Sequence, residues 1–132
     1  MKIGFLFPGQ GAQAVGMGKD LYEKYAEYRN VYEKVNEIIG RKIDDLTFNS
    51  TDEELSQTKN TQIAILTMSL AILEILKQEN IQVDAAMGLS LGEYTALIHS
   101  GALSIEDGIK VVQKRGELMQ NLCQRLFSSH QV

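Results

Sequence analysis

The chain has 132 residues, enough for a single domain with a buried core. Its net charge of −4, from 13 basic and 17 acidic side chains, argues against a nucleic-acid partner, which favours a basic face. Its single cysteine, Cys123, cannot form an internal disulfide, and the N-terminus lacks the long apolar core and cleavage site of a signal peptide. We therefore expect a cytoplasmic protein that binds neither nucleic acid nor a membrane.

The first predicted element is a buried strand from Ile3 to Phe7, because this apolar segment is too short to be a helix before Pro8. A glycine-rich loop follows over residues 8–16. Part of this loop, Gly9-Gln10-Gly11-Ala12-Gln13-Ala14, fits the dinucleotide-binding fingerprint G-x-G-x-x-A. No strand ending in an acidic residue follows about 20 residues later, as that motif requires, so nucleotide binding is a minor alternative.

The next segment has helical periodicity. Apolar side chains recur every three or four residues from Lys19 to Ile39, which predicts one long amphipathic helix, or two in series, closed by Gly40. A polar connection over residues 41–60 then contains a capping box for a short helix, formed by Thr51 and Glu54.

The second half of the chain adds helices around one more strand. Thr61 to Gln78 is a strongly apolar helix whose polar interruptions favour a core helix over a membrane span. A strand is predicted at about Val83 to Met87, followed by a helix from Leu91 to about Ser100. Ser104 and Asp107 resemble the start signal of a last helix that runs to about residue 124.

This order of elements is an α/β pattern. A right-handed crossover would make the two strands parallel and adjacent, and ligands in such sheets bind beyond the carboxyl ends of the strands. The loop 8–16 and the residues after the second strand would then share one edge. Two strands form a very small parallel sheet with exposed edges, so the pattern predicts an incomplete domain.

The second strand leads into Gly88-Leu89-Ser90-Leu91-Gly92, which has the G-x-S-x-G pattern of a nucleophile elbow. Such a turn presents the Ser90 hydroxyl at the end of the sheet and places the Leu91 N–H at a helix N-terminus, where it can stabilise an oxyanion. Ser90 and Glu93 also fit the capping box S-x-x-E, in which the serine only caps the helix. The pentapeptide by itself leaves both interpretations open.

Arg115 lies inside the apolar stripe of the last helix. That stripe comprises Val111, Val112, Leu118, Met119 and Leu122. An inward guanidinium needs an anionic or hydrogen-bonding partner, and a ligand carboxylate held by two parallel N–H bonds would satisfy it. The alternative is an arginine whose head group reaches solvent.

A serine nucleophile needs a base, and the chain contains only His99 and His130. His99 follows Ser90 by nine residues, roughly 13 Å along a helix at 1.5 Å per residue, so it cannot reach the hydroxyl. His130 lies in a polar tail. Neither is predicted to act as the base.

Three segments together resemble the bacterial malonyl-CoA:acyl carrier protein transacylases of fatty acid synthesis. They are Phe7-Pro8-Gly9-Gln10-Gly11-Ala12-Gln13, Gly88-Leu89-Ser90-Leu91-Gly92-Glu93-Tyr94, and Gln113-Lys114-Arg115-Gly116 with Met119-Gln120. The resemblance covers residues 1–120 and implies part of a hydrolase-like acyltransferase subdomain, with a short parallel sheet flanked by helices. It further implies malonyl-CoA as substrate, acyl carrier protein as partner, and no cofactor or metal.

The resemblance also assigns roles to individual residues. Ser90 would take the malonyl group from coenzyme A as an ester and pass it to the phosphopantetheine thiol of the carrier protein. Gln10 and Leu91 match the backbone oxyanion donors, and Arg115 matches the arginine that pairs with the malonyl carboxylate. Gln62 falls near a further active-site glutamine, although Ile63 replaces the proline that usually follows it.

The chain departs from the family pattern in three ways. First, Leu89 stands where many members have histidine. Second, the family is more than twice this length, and its catalytic histidine lies beyond residue 132. Third, residues 121–132 diverge from the family pattern, as after a frameshift or premature stop. We therefore expect an N-terminal fragment with very low transfer activity. The alternatives are a serine esterase or thioesterase, which gives Arg115 no role, and a non-catalytic truncated product.

Overall fold

The computed structural model describes residues 1–129. In chain order the elements are β1 (Gly4–Phe7), α1 (Lys19–Lys24), α2 (Ala26–Ile39), α3 (Ile43–Asn49), α4 (Asp52–Leu55), α5 (Thr58–Gln78), β2 (Ala85–Gly88), α6 (Leu91–His99) and α7 (Ile105–Ser128). The two strands pair in parallel, in the register Gly4 opposite Ala85 to Phe7 opposite Gly88. The prediction of a short parallel sheet flanked by helices is confirmed.

The sheet is covered on one face only. Phe7 is buried, whereas Leu6 and its register partner Met87 are 77% and 61% exposed. The expectation of a wholly buried first strand is therefore wrong, because no described element covers the face that carries Leu6 and Met87.

The segment from Lys19 to Ile39 forms two helices rather than one. They separate at Tyr25, whose backbone is extended, and α2 ends at Gly40 in the left-handed conformation with φ 72°. Thr51 caps α4 as predicted, since its hydroxyl accepts the Glu54 N–H at 3.1 Å. The sequence did not predict α3, which buries Ile43 against the core.

Helix α5 is the centre of the core. It packs against α2, α3, α6 and α7, and residues 60–67 along it are buried. It is long and apolar enough to cross a membrane, but most of its side chains are buried inside the protein, as in the core helix of a globular domain. The helix begins at Thr58, three residues before its predicted start.

Helix α7 turns a different face to α5 than its apolar pattern predicts. Its buried positions are Gly108, Ile109, Val112 and Gly116. The predicted stripe is largely exposed, at Val111, Leu118, Met119 and Leu122. The buried face carries glycines, which allow α7 to approach α5 closely. A Cβ at Gly116 would lie 3.0 Å from the Cα of Lys59.

Candidate functional site

The turn between β2 and α6 has the geometry of a nucleophile elbow. Ser90 has φ 53° and ψ −106°, a strained conformation for a residue with a side chain. Glycine is needed at Gly88 and Gly92 because a larger residue would not fit. A Cβ at Gly88 would overlap the Gly92 carbonyl, and a Cβ at Gly92 would overlap the carbonyl oxygen of Phe7. The elbow is therefore packed directly against the end of β1.

The hydroxyl of Ser90 points away from the helix it precedes. It makes no capping hydrogen bond; the Glu93 N–H bonds instead to the backbone oxygen of Ser90 at 3.1 Å. The Ser90 Oγ accepts a hydrogen bond from Nη2 of Arg115 at 2.9 Å. The capping-box interpretation of this serine is thus wrong, because its hydroxyl bonds to Arg115 on α7 and not to the helix that follows.

Arg115 is half-buried and held on three sides. Its Nη1 donates to Oε1 of Gln62 at 2.6 Å, its Nη2 donates to Ser90, and its guanidinium carbon lies 5.5 Å from the ring centroid of Tyr94. Within residues 1–129 no carboxylate pairs with it. The guanidinium is therefore directed at the serine by neutral groups, and no carboxylate among the described residues compensates its charge.

Gln62 comes from the first turns of α5 and is fully buried. Its Nε2 donates to the Sδ of Met119 at 3.2 Å, one helical turn beyond Arg115 on α7. Sequence reasoning placed Met119 in an apolar stripe and in the segment that resembles the family, but it missed this contact. The four-residue spacing from Arg115 was the available signal, because such residues share a helix face.

The loop after β1 lies beside the elbow. A Cβ at Gly9 would be 2.7 Å from the carbonyl oxygen of Leu89, and the Gln10 side chain donates to Thr58 Oγ1 at 3.2 Å. In the described part of the chain, the backbone N–H groups of Gln10 and Leu91 have no hydrogen-bond acceptor. Both donors of the expected oxyanion hole are therefore without a partner among residues 1–129.

His99 lies at the far end of α6 from Ser90. Its ring packs at 5.4 Å from the ring of Phe5 and 6.2 Å from that of Phe7. This position agrees with the prediction that it does not serve the serine. His130 lies outside the described residues.

The loop 8–16 does not have the structure of a dinucleotide-binding turn. Helix α1 begins only at Lys19, so no helix N-terminus opens within the glycine motif that ends at Ala14. The nucleotide-binding alternative has no structural support here. Across residues 1–129, no group of three or more histidine, cysteine or acidic side chains could hold a metal ion.

Comparison with known families agrees with this geometry. The family profile described as "Acyl transferase domain" matches residues 4–125. The chain belongs to this family. The matched residues include the loop after β1, the elbow and Arg115, and they extend past residue 120.

Several individual relatives of this chain are malonyl transacylases. It is 48% identical over 118 residues to the malonyl CoA-acyl carrier protein transacylase of Bacillus subtilis (strain 168), covering 89% of this chain and 37% of that protein. The crystal structure of the Clostridium perfringens transacylase is 48% identical with a TM-score of 0.86, covering 91% of this chain and 38% of that one. The structure of a malonyl-transacylase in complex with its type II PKS acyl-carrier protein is 32% identical with a TM-score of 0.88. The match covers 92% of this chain and 40% of that one.

These relatives confirm the resemblance inferred from the three motifs. The chain is a homologue of malonyl-CoA:acyl carrier protein transacylases along about nine-tenths of its length. It spans less than two-fifths of the Bacillus relative.

Proposed function

We propose that this chain carries the acyl-ester part of a malonyl-CoA:acyl carrier protein transacylase site, in which Ser90 bears the malonyl group and Arg115 binds its free carboxylate. The observation that carries the proposal is the hydrogen bond of 2.9 Å from Nη2 of Arg115 to Ser90 Oγ, made by a guanidinium that has no carboxylate partner within residues 1–129. The proposed partners are malonyl-CoA and acyl carrier protein, and the proposed compartment is the cytoplasm.

The chemistry follows from the positions of these groups. Ser90 Oγ attacks the thioester carbonyl carbon, the carbon–sulfur bond breaks, and the hydroxyl proton leaves with the coenzyme A thiol. The carrier protein's thiol later attacks the ester carbonyl, and Oγ regains a proton as the ester bond breaks. The N–H groups of Gln10 and Leu91 would stabilise the oxyanion in both steps.

The reach of Arg115 fits a malonyl group. In a malonyl ester, one methylene separates the free carboxylate from the carbonyl carbon bonded to Oγ. A guanidinium already within hydrogen-bond distance of Oγ can therefore meet that carboxylate with a small shift, and it offers two parallel N–H donors. An acyl group without a carboxylate would leave the cation unpaired.

The rate of the proposed reaction depends on a base that the described site does not contain. His99 is the one imidazole within residues 1–129, and it packs on Phe5 and Phe7 instead. A positioned base contributes roughly 10²- to 10⁴-fold to such a step. We expect acylation of Ser90 to be slower than in a full-length relative by about that factor.

The direct test is the intact mass of the purified chain after incubation with malonyl-CoA. We expect a malonyl ester that is absent in Ser90→Ala, a variant that keeps the Cβ at the elbow. An adduct of equal yield in Ser90→Ala, or no adduct in the wild-type chain, contradicts the proposal.

Substitution of Arg115 separates malonyl transfer from general esterase chemistry. Arg115→Ala should lower the rate of malonyl labelling roughly 10- to 100-fold, because a charge-assisted hydrogen bond contributes about 1.5–3 kcal/mol. Labelling by acetyl-CoA should change little, and Arg115→Lys should recover part of the malonyl rate. Labelling rates that Arg115→Ala leaves unchanged for both acyl groups would instead favour an esterase or thioesterase, which gives Arg115 no role.

A further inference from the structure

The side-chain amide of Gln62 contacts both Arg115 and Met119 on the facing helix α7. Oε1 accepts from Arg115 Nη1 at 2.6 Å, and Nε2 donates to Met119 Sδ at 3.2 Å. Gln62 itself is fully buried, so its amide needs hydrogen-bond partners, and these two contacts supply one for each end.

The chemistry of the three groups permits only one orientation of the amide. A guanidinium only donates hydrogen bonds and a thioether only accepts them, while an amide offers one end of each kind. Rotating the Gln62 amide by 180° would place its NH₂ group against the guanidinium and its oxygen against the sulfur. Both contacts would then be lost.

We infer that Met119 is a positioning residue that holds the Gln62 amide with its oxygen towards Arg115, and so keeps the guanidinium directed at Ser90. Its effect on acyl transfer rests on the proposed function; its effect on the amide does not. These contacts align the Arg115 guanidinium with Ser90 before any acyl group arrives. They run from Met119 through Gln62 to Arg115. Because the cation is already in place, binding a carboxylate has a lower entropic cost.

Helix packing brings the members of this series together. Arg115 and Met119 are four residues apart and share a face of α7. Gly116, between them, allows α7 to approach α5 so closely that a Cβ there would lie 3.0 Å from Lys59 Cα. The Gln62 amide therefore reaches both side chains from the facing helix.

The test compares Met119→Leu with Met68→Leu, the same substitution at a half-buried methionine of α5 outside this network. The readout is the ratio of malonyl to acetyl labelling rates of Ser90. Met119→Leu should lower this ratio roughly three- to tenfold, the loss expected for one neutral hydrogen bond, while Met68→Leu should leave it unchanged. An unchanged ratio in Met119→Leu overturns the inference.

A second measurement does not depend on acylation. In the unliganded chain, exchange of the Gln62 side-chain NH₂ protons with solvent, followed by NMR, should accelerate at least threefold in Met119→Leu and not in Met68→Leu. In a Gln62→Glu background, where no N–H faces the sulfur, adding Met119→Leu should leave the labelling ratio unchanged.

The two measurements distinguish the possible failures. Faster exchange in Met119→Leu, together with no labelling of the wild-type chain, would support the positioning of Gln62 and refute the proposed function. Labelling of the wild-type chain, with neither the ratio nor the exchange altered in Met119→Leu, would leave the proposed function standing and refute the role of Met119.

Discussion

Ser90 is held in a conformation that costs about 1–3 kcal/mol for a residue with a side chain. The surrounding backbone maintains it, because Gly88 and Gly92 are in direct contact and Gly92 also abuts the end of β1. As a result of this conformation, the Ser90 hydroxyl is exposed and faces Arg115 rather than the helix that follows. The strained backbone and the direction of the hydroxyl are therefore linked at this residue.

At the residue scale, Gly92→Ala should lower the free energy of unfolding by about 2 kcal/mol and abolish labelling of Ser90. The added Cβ would lie 2.9 Å from the carbonyl carbon of Phe7, and backbone atoms there cannot move aside without shifting β1. Urea denaturation measures the loss. Gly4→Ala is the control, since its Cβ would meet only an ordinary contact at 3.8 Å; an equal loss in both variants would contradict the argument.

At the element scale, α1, α2 and α3 are joined by aromatic packing. The ring of Tyr32 lies 5.5 Å from those of Tyr22 and Tyr28 and 5.6 Å from that of Phe48. Tyr28 and Tyr32 are fully buried. Burial raises the pKa of the Tyr32 hydroxyl well above its ordinary value of 10.0, and the neighbouring Tyr28 raises it further.

This cluster predicts a loss of stability in alkali. Above pH 10 the unfolded chain ionises Tyr32 while the folded chain keeps it neutral, so the unfolded state binds fewer protons and the free energy of unfolding falls as the pH rises. One such group contributes up to about 1.4 kcal/mol per pH unit. Tyr32→Phe should reduce this slope when unfolding is measured between about pH 10 and 11.5; equal slopes in both proteins would contradict the prediction.

At the scale of the whole molecule, the main feature is a two-stranded sheet with one uncovered face. Leu6 and Met87 lie opposite each other on that face, and both strands have a free edge within the described residues. Unpaired edges and exposed apolar side chains favour pairing with other chains. We expect the purified chain to self-associate through this surface.

Leu6→Thr should therefore reduce self-association, measured by light scattering across a concentration series, while changing the free energy of unfolding by less than about 1 kcal/mol. Threonine retains strand propensity, and Leu6 is already 77% exposed. Leu97→Thr, at an exposed leucine of α6, is the matched control. An equal reduction by Leu97→Thr would show that the sheet face is not responsible.

Several features followed from the sequence by itself because their causes are local. Each helix cap depends on residues within one turn. The examples are the cap at Thr51, the cap at Ser104 and the helix end at Gly40. The Ser104 hydroxyl accepts the Asp107 N–H at 3.1 Å. The elbow around Ser90 was predictable for the same reason, since its glycines and serine are adjacent in the chain.

The tertiary structure alone decided what Arg115 contacts and which face of α7 is buried. Gln62 is 53 positions from Arg115 and Ser90 is 25, and no local pattern records that these side chains meet. The apolar stripe on α7 pointed to the wrong face because Gly108 and Gly116, which add little to hydrophobicity, set the closest approach to neighbouring elements. Local chemistry thus determined where the elements and the serine turn lie, whereas packing between distant segments determined which side chains surround the serine.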